Sequence, residues 1–256
     1  MKSTWKRWSW VSSALATVLI AGPLAGQATM DSWYVNTGDV EGTKRMLVAL
    51  GGTANGQMVE FPGVTVHLNA AAPSGGTVGT SVDHVGLWVP NVEAAFAKWQ
   101  AAGVPVELAR ATQAWVLTPE GLRIEVLQND AQTAPVQHHH IHYNVPRAAI
   151  TDAQKWYNEV FGAVPGMRGN FQAADIPGAN LTFSGVDEER VGTRGRALDR
   201  VGFKVQGLEA LCQRIQGRAD VKLDRPCQRE GSGIVRAQLT DPWGTVIELT
   251  EGGVSN

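Results

Sequence analysis

From Val82 to Val89 the chain alternates with a period of two. Val85, Leu87 and Val89 fall on one face of a strand, and His84, Gly86 and Trp88 on the other. The period then lengthens: Val92, Ala95, Phe96 and Trp99 recur at helical spacing, with Asn91 in the cap position and Gly103 past the end. Extended runs follow over 104–108, 114–117 and 122–127, the last two parted by a turn at 119–121. The order predicted is strand, helix, then three strands.

That order recurs because the sequence itself recurs. DHVGLWVPNVEA starts at 83 and DRVGFKVQGLEA at 199, an offset of 116 residues. TPEGLRIEV at 118 matches DPWGTVIEL at 241, and FPGVTVHL at 61 matches IPGANLTF at 176. The chain is a tandem duplication. Each half divides again. Strands at 33–37, 141–145 and 201–205 are each followed by a helix, over 40–50, 151–161 and 208–215. Closing strands are predicted at 64–69, 180–184 and 245–250, with another strand at 235–239. Four βαβββ modules result, joined by a small-residue linker over 70–81 and a charged one over 187–196. The predicted class is α+β, with a first domain over 29–130 (modules one and two) and a second over 136–252 (modules three and four).

The first 28 residues differ in character. Lys2, Lys6 and Arg7 precede an apolar run over 11–20, and small residues follow at Ala25, Gly26 and Ala28. This is the layout of a secretory signal peptide; a membrane-spanning helix needs about 20 apolar residues. An exported protein, periplasmic or extracellular, is expected, with no stable membrane insertion once the leader is cut after Gly26 or Ala28. Cys212 and Cys227 could pair in an oxidising compartment; the reading adopted is two buried small apolar side chains.

At 256 residues, with 43% hydrophobic and 18% charged residues, the chain can bury a core. A formal net charge of −2 provides no electrostatic footprint for nucleic acid. The expected partner is a small molecule, and a homodimer is allowed.

A strand opening DHVGL, a helix, and a closing strand ending in IEV or IEL after a PxG turn resemble the vicinal oxygen chelate superfamily. Its members include glyoxalase I, extradiol dioxygenases and bleomycin-resistance proteins. The resemblance spans about residues 32–250 and implies paired modules whose sheets curl into two open cups. It also implies that metal ligands come from the start of the first strand and the end of the last strand. At the first-strand position modules one to four carry Ser32, His84, His140 and Arg200; at the last-strand position they carry His67, Glu125, Thr182 and Glu248. If modules one and two share a cup, His67, His84 and Glu125 converge; if two and three do, His84, Glu125 and His140 converge. Either set suits one divalent ion of iron, manganese, zinc or nickel.

A guanidinium cannot deprotonate to bind metal, and Arg200 could pair with Glu248 across the cup; either Arg200 has replaced the metal charge or this cup is inactive. His138, His139, His140 and His142 form a dense tract, and His142 would face the same cup as His140. Trp88 and Trp115 are candidate cleft walls, Arg200 and Glu248 candidate substrate contacts, and Trp156 and Tyr157 packing residues. The implied activity is that of a glyoxalase- or dioxygenase-like enzyme in which the metal chelates two adjacent substrate oxygens and Glu125 serves as base. The alternative is a metal-free cup that sequesters a small molecule.

Overall fold

The computed structural model describes residues 27–252; the expected leader, apart from Gln27 and Ala28, lies outside the described residues. Four modules follow one another. The first comprises β1 (Ala28–Thr37), α1 (Val40–Ala49), β2 (Thr53–Asn55), β3 (Met58–Phe61) and β4 (Val64–Ala70). The second comprises β5 (Val82–Val89), α2 (Val92–Ala101), β6 (Val106–Arg110), β7 (Gln113–Leu117) and β8 (Arg123–Gln128). In the third are β9 (Gln137–Pro146), α3 (Ile150–Phe161), β10 (Val164–Arg168), β11 (Phe171–Ile176) and β12 (Ala179–Val186). The fourth holds β13 (Leu198–Val205), α4 (Leu208–Ile215), β14 (Lys222–Arg229), β15 (Val235–Thr240) and β16 (Val246–Glu251).

Local chemistry explains the helix ends. Asp39 and Asn91 each accept a hydrogen bond from a first-turn amide, of Gly42 and Ala94. Gly162, at φ 67°, ends α3 in the left-handed conformation that glycine adopts without strain.

Two eight-stranded sheets result, with strand orders β14-β15-β16-β13-β1-β4-β3-β2 and β10-β11-β12-β9-β5-β8-β7-β6. Neither closes into a barrel. In every module the first strand runs parallel to the last, leaving its other edge bare. Antiparallel pairing of β1 with β13, and of β5 with β9, covers those edges. Module two therefore shares a sheet with module three, and module one with module four. A division into halves at 29–130 and 136–252 does not follow the sheets.

Each helix packs on strands of its own module, against the aliphatic face. Val85, Leu87, Val89, Ile124 and Val126 are all essentially inaccessible, as the alternation predicted. Trp156 and Tyr157 are buried packing residues. The repeated PG turns lock the two sheets together: the Pro62 carbonyl accepts from the His138 amide at 2.8 Å, and the Pro177 carbonyl from the Met30 amide at 2.9 Å. Each turn thus docks on the first strand of the opposite sheet.

The cysteines depart from expectation. Cys212 on α4 and Cys227 on β14 form a disulfide. Strand β14 lies at the outer end of its sheet, so a covalent tie to the helix beneath holds an edge that only one neighbour pairs.

Candidate functional site

The antiparallel junction of β5 and β9 places His84 opposite His142 and Gly86 opposite His140. The parallel ladder of β5 with β8 sets Gly86 beside Glu125. Side chains two residues apart share a face, so His84, His140, His142 and Glu125 all enter one cup. The ligand-capable atoms of the three histidines lie within 4.8 Å of one another. Glu125 Oε2 stands 3.2 Å from His140 Nε2 and 3.5 Å from His84 Nε2. All four residues are buried.

The free nitrogens of these rings are the informative atoms. His84 Nε2, His140 Nε2 and His142 Nδ1 are buried without a hydrogen-bond partner. The opposite nitrogens are all engaged: His84 Nδ1 with Asp83 at 2.7 Å, His140 Nδ1 with His139 at 2.9 Å, and His142 Nε2 with the Ser184 hydroxyl at 2.7 Å. Anchoring one ring nitrogen and leaving the other bare is how metal-binding histidines are held. Burial pushes the His140 and His142 rings towards the neutral form, His142 to about 3, so their lone pairs are available at neutral pH.

Glu125 is held just as firmly. Gln113 donates to Oε1, and Arg168 Nη2 lies 3.3 Å from Oε2. Burial alone would raise its pKa, but the His140 and His84 contacts outweigh that and keep the carboxyl well below the usual range. An ionised, tightly held carboxylate suits a ligand better than a base poised near neutrality. Burial likewise opposes ionisation of Asp83, and its bond to His84 and the Arg123 charge overcome it.

Beside this cluster is a cavity of about 500 Å³, lined by His84, His142 and Glu125 on one side and Trp115, Arg168 and Phe171 on others. Trp115 meets the His84 ring edge-on at 4.9 Å and carries Arg123 over its face at 3.7 Å. Trp88 stacks on His139 at 3.8 Å and lines a neighbouring cavity of about 380 Å³.

Comparison with solved structures matches this architecture along most of its length. Glyoxalase I from Zea mays superposes with a TM-score of 0.65 at 15% identity, covering 88% of this chain and 92% of that one. A candidate dioxygenase from Bacillus subtilis superposes with a TM-score of 0.64 at 14% identity, over 88% of this chain and 86% of that one. The fold is that of the vicinal oxygen chelate superfamily. No family model and no curated protein matches the sequence, so the likeness at these identities concerns the fold.

Within the vicinal oxygen chelate fold the ladders test the ligand alignment directly. Tyr34 pairs with His67, Gly86 with Glu125, His142 with Thr182 and Gly202 with Glu248. Two residues before the first of each pair stand Ser32, His84, His140 and Arg200, as the sequence alignment had them. Modules two and three thus bring together His84, Glu125 and His140. His67 is not part of that set: it lies in the other sheet, stacked on Tyr34 at 4.6 Å.

The second cup is filled with charge. Arg200 Nε lies 3.3 Å from Glu248, which also contacts Arg225, Arg236 and Gln238. Arg200 further covers the Tyr34 ring at 4.0 Å. Arg200 and Glu248, expected as substrate contacts, are occupied with each other and share no sheet with the histidine cup. The sequence reading did not pick out Asp83, Gln113, Arg110, Arg168 or Phe171. Asp83 was visible in the DHVGL motif; the others come from hairpin strands whose position over the cup no local pattern announces.

Proposed function

We propose that the protein is a metalloenzyme of the vicinal oxygen chelate type, glyoxalase- or dioxygenase-like, with one divalent ion in the cup of modules two and three. The observation that carries this reading is the set of three buried imidazole nitrogens that converge beside an ionised carboxylate, two of them in contact with Glu125 and none with a partner beyond it. Donors around a tetrahedral or octahedral ion with bonds of about 2.1 Å stand about 3.0 to 3.5 Å apart, which the 3.2 and 3.5 Å separations satisfy. His84, His140, His142 and Glu125 would hold the ion, and this nitrogen-rich set suits iron, manganese, zinc or nickel. A bound ion of this kind supplies a Lewis acid for two adjacent oxygens of a substrate.

The chain's own groups then have distinct tasks. Asp83 and Ser184 fix the orientation of His84 and His142, and Gln113 fixes Glu125. Trp115 and Phe171 wall the cavity. Export belongs to the same proposal. The basic, apolar and small-residue succession at the start of the chain supports it, and so does a disulfide, which persists in oxidising compartments.

The test is metal content. Untagged protein is loaded anaerobically with Fe(II), Mn(II), Zn or Ni(II), and metal per chain is measured beside His84→Ala, His142→Ala and Glu125→Gln. A single tightly held ion, weakened at least about 10-fold in each variant, is expected, and would direct a substrate screen to vicinal diols, diketones and hydroxyketones. Metal retained equally by all variants, or by none including the parent, would leave the metal-free binding cup as the account.

A further inference from the structure

We infer that the ligand of the histidine cup carries an anionic group, a carboxylate or a phosphate, and that Arg168 and Arg110 grip it. The inference deepens the function proposed above. Its chelating end rests on that reading, whereas its anionic end rests on the two arginines alone.

The two side chains reach one cavity from equivalent places. Arg110 is the last residue of β6 and pairs across its hairpin with Gln113; Arg168 is the last residue of β10 and pairs across its hairpin with Phe171. The hairpin of each module therefore delivers one arginine from the same topological position, and both line the cavity of about 500 Å³ that His84, His142 and Glu125 border. A third arginine there, Arg123, is already committed to Asp83 at 2.8 Å and to the Trp115 face.

Arg168 is committed on one side only. Arg168 Nη2 approaches Glu125 at 3.3 Å, but its Nη1 is buried with no hydrogen-bond partner. Arg110 has no carboxylate partner among the described residues. A buried charged donor without an acceptor is costly, and an oxyanion relieves that cost. Guanidinium forks match the two oxygens of a carboxylate or phosphate geometrically. With Arg123 offset by Asp83, Arg110 and Arg168 against Glu125 leave the cavity net positive, and a divalent ion would add to that. Trp115, Leu127 and Phe171 supply the apolar part of the lining. A ligand with an anionic group beside its chelating oxygens and an apolar or aromatic body fits this lining.

Calorimetric titration with benzoate, phenyl phosphate and benzyl alcohol tests the idea, on chelator-treated protein and again on metal-loaded protein. Benzoate and phenyl phosphate can themselves ligate a metal ion, so the chelator-treated protein is the arm that reads the arginine contact apart from coordination. At least one of the two anions should bind 10-fold or more tightly than benzyl alcohol, about 1.4 kcal/mol, in both forms. The stronger of the two tells carboxylate from phosphate. The preference should be lost in Arg110→Gln and in Arg168→Gln, with thermal melting confirming that each variant is folded. Arg110→Gln is the cleaner arm because it leaves the surroundings of Glu125 intact. Equal binding of benzyl alcohol and both anions, or a preference that survives both substitutions, would overturn the inference. An anion preference in protein that retains no metal would uphold it while removing the metal reading.

Discussion

At the scale of single residues, one glycine decides whether the cup can form. Gly86 faces His140 across the β5–β9 junction, and a Cβ at that position would sit 1.9 Å from His140 Nδ1. A Cβ is fixed in place by the backbone, so the imidazole would have to leave its place against the strand. Gly86→Ala is expected to weaken metal binding about 10- to 100-fold, the range for disturbed ligand positioning. The far-UV spectrum should be unchanged. Metal titration of the two proteins decides it, and equal affinities would show that His140 is not held where the ladder puts it. The equivalent Gly202 admits Ser32 in the same way, its Cβ site lying 2.2 Å from Ser32 Oγ. The two cups share this close approach of first strands and differ in the side chains set upon it.

The scale of elements is where the repeated motifs acquire a physical meaning. In the PxG turns, Thr118 Oγ1 accepts from the Leu122 amide and Asp241 Oδ1 from the Thr245 amide, so each turn is closed by the side chain that opens it. Asp241 also accepts from the Tyr157 hydroxyl at 2.9 Å, which joins α3 to the β15–β16 turn. Burial raises the Asp241 pKa to about 6 against these hydrogen bonds, above the ordinary 3.8. The folded state thus keeps a proton that the unfolded chain has lost between about pH 4 and 6. This group therefore adds stability as pH falls through about 6, and that addition is absent at neutral pH. Relative to Asp241→Asn, the wild type should gain about 1 kcal/mol between pH 7 and pH 5, read from urea unfolding at the two values. A wild-type to variant difference that does not change with pH would contradict a protonated Asp241. The turns, helices and closing strands were legible because their signals are local: caps, glycines and alternation. Strand β14 was not, since KLDRPCQR has no apolar alternation and contains Pro226, which a central strand would not tolerate. It forms at the sheet edge, where one neighbour and the disulfide hold it.

For the whole molecule, the pairing of modules is the decisive fact. Each sheet takes one module from either half of the duplication, and the PG turns of each sheet dock on the other. Chains covering 27–134 and 135–252 would each expose the bare edges of two first strands. Expressed separately, they are expected to aggregate or stay unfolded; expressed together, they should reassemble and bind metal. Size-exclusion chromatography and metal analysis of the separate and joint preparations check this, and a soluble, cooperatively melting 27–134 fragment would contradict it. The second cup needs no ion for its cohesion, because Arg200, Arg225 and Arg236 already surround Glu248.

By itself the sequence determined the four modules, the order of elements in each, the strand faces that carry His84, His140 and Glu125, and the facing positions of Arg200 and Glu248. These follow from periodicity and internal repetition, which operate over a few residues or between copies of one unit. Only the tertiary structure decided between the two ligand sets, because the choice depends on which first strands cover each other's edges, and both pairings satisfy the local pattern equally. It also decided that His142 joins the cup, that Cys212 and Cys227 meet, and that Arg110 and Arg168 reach one cavity. Such contacts lie between residues far apart in the chain, and their geometry is set by the packing of whole sheets.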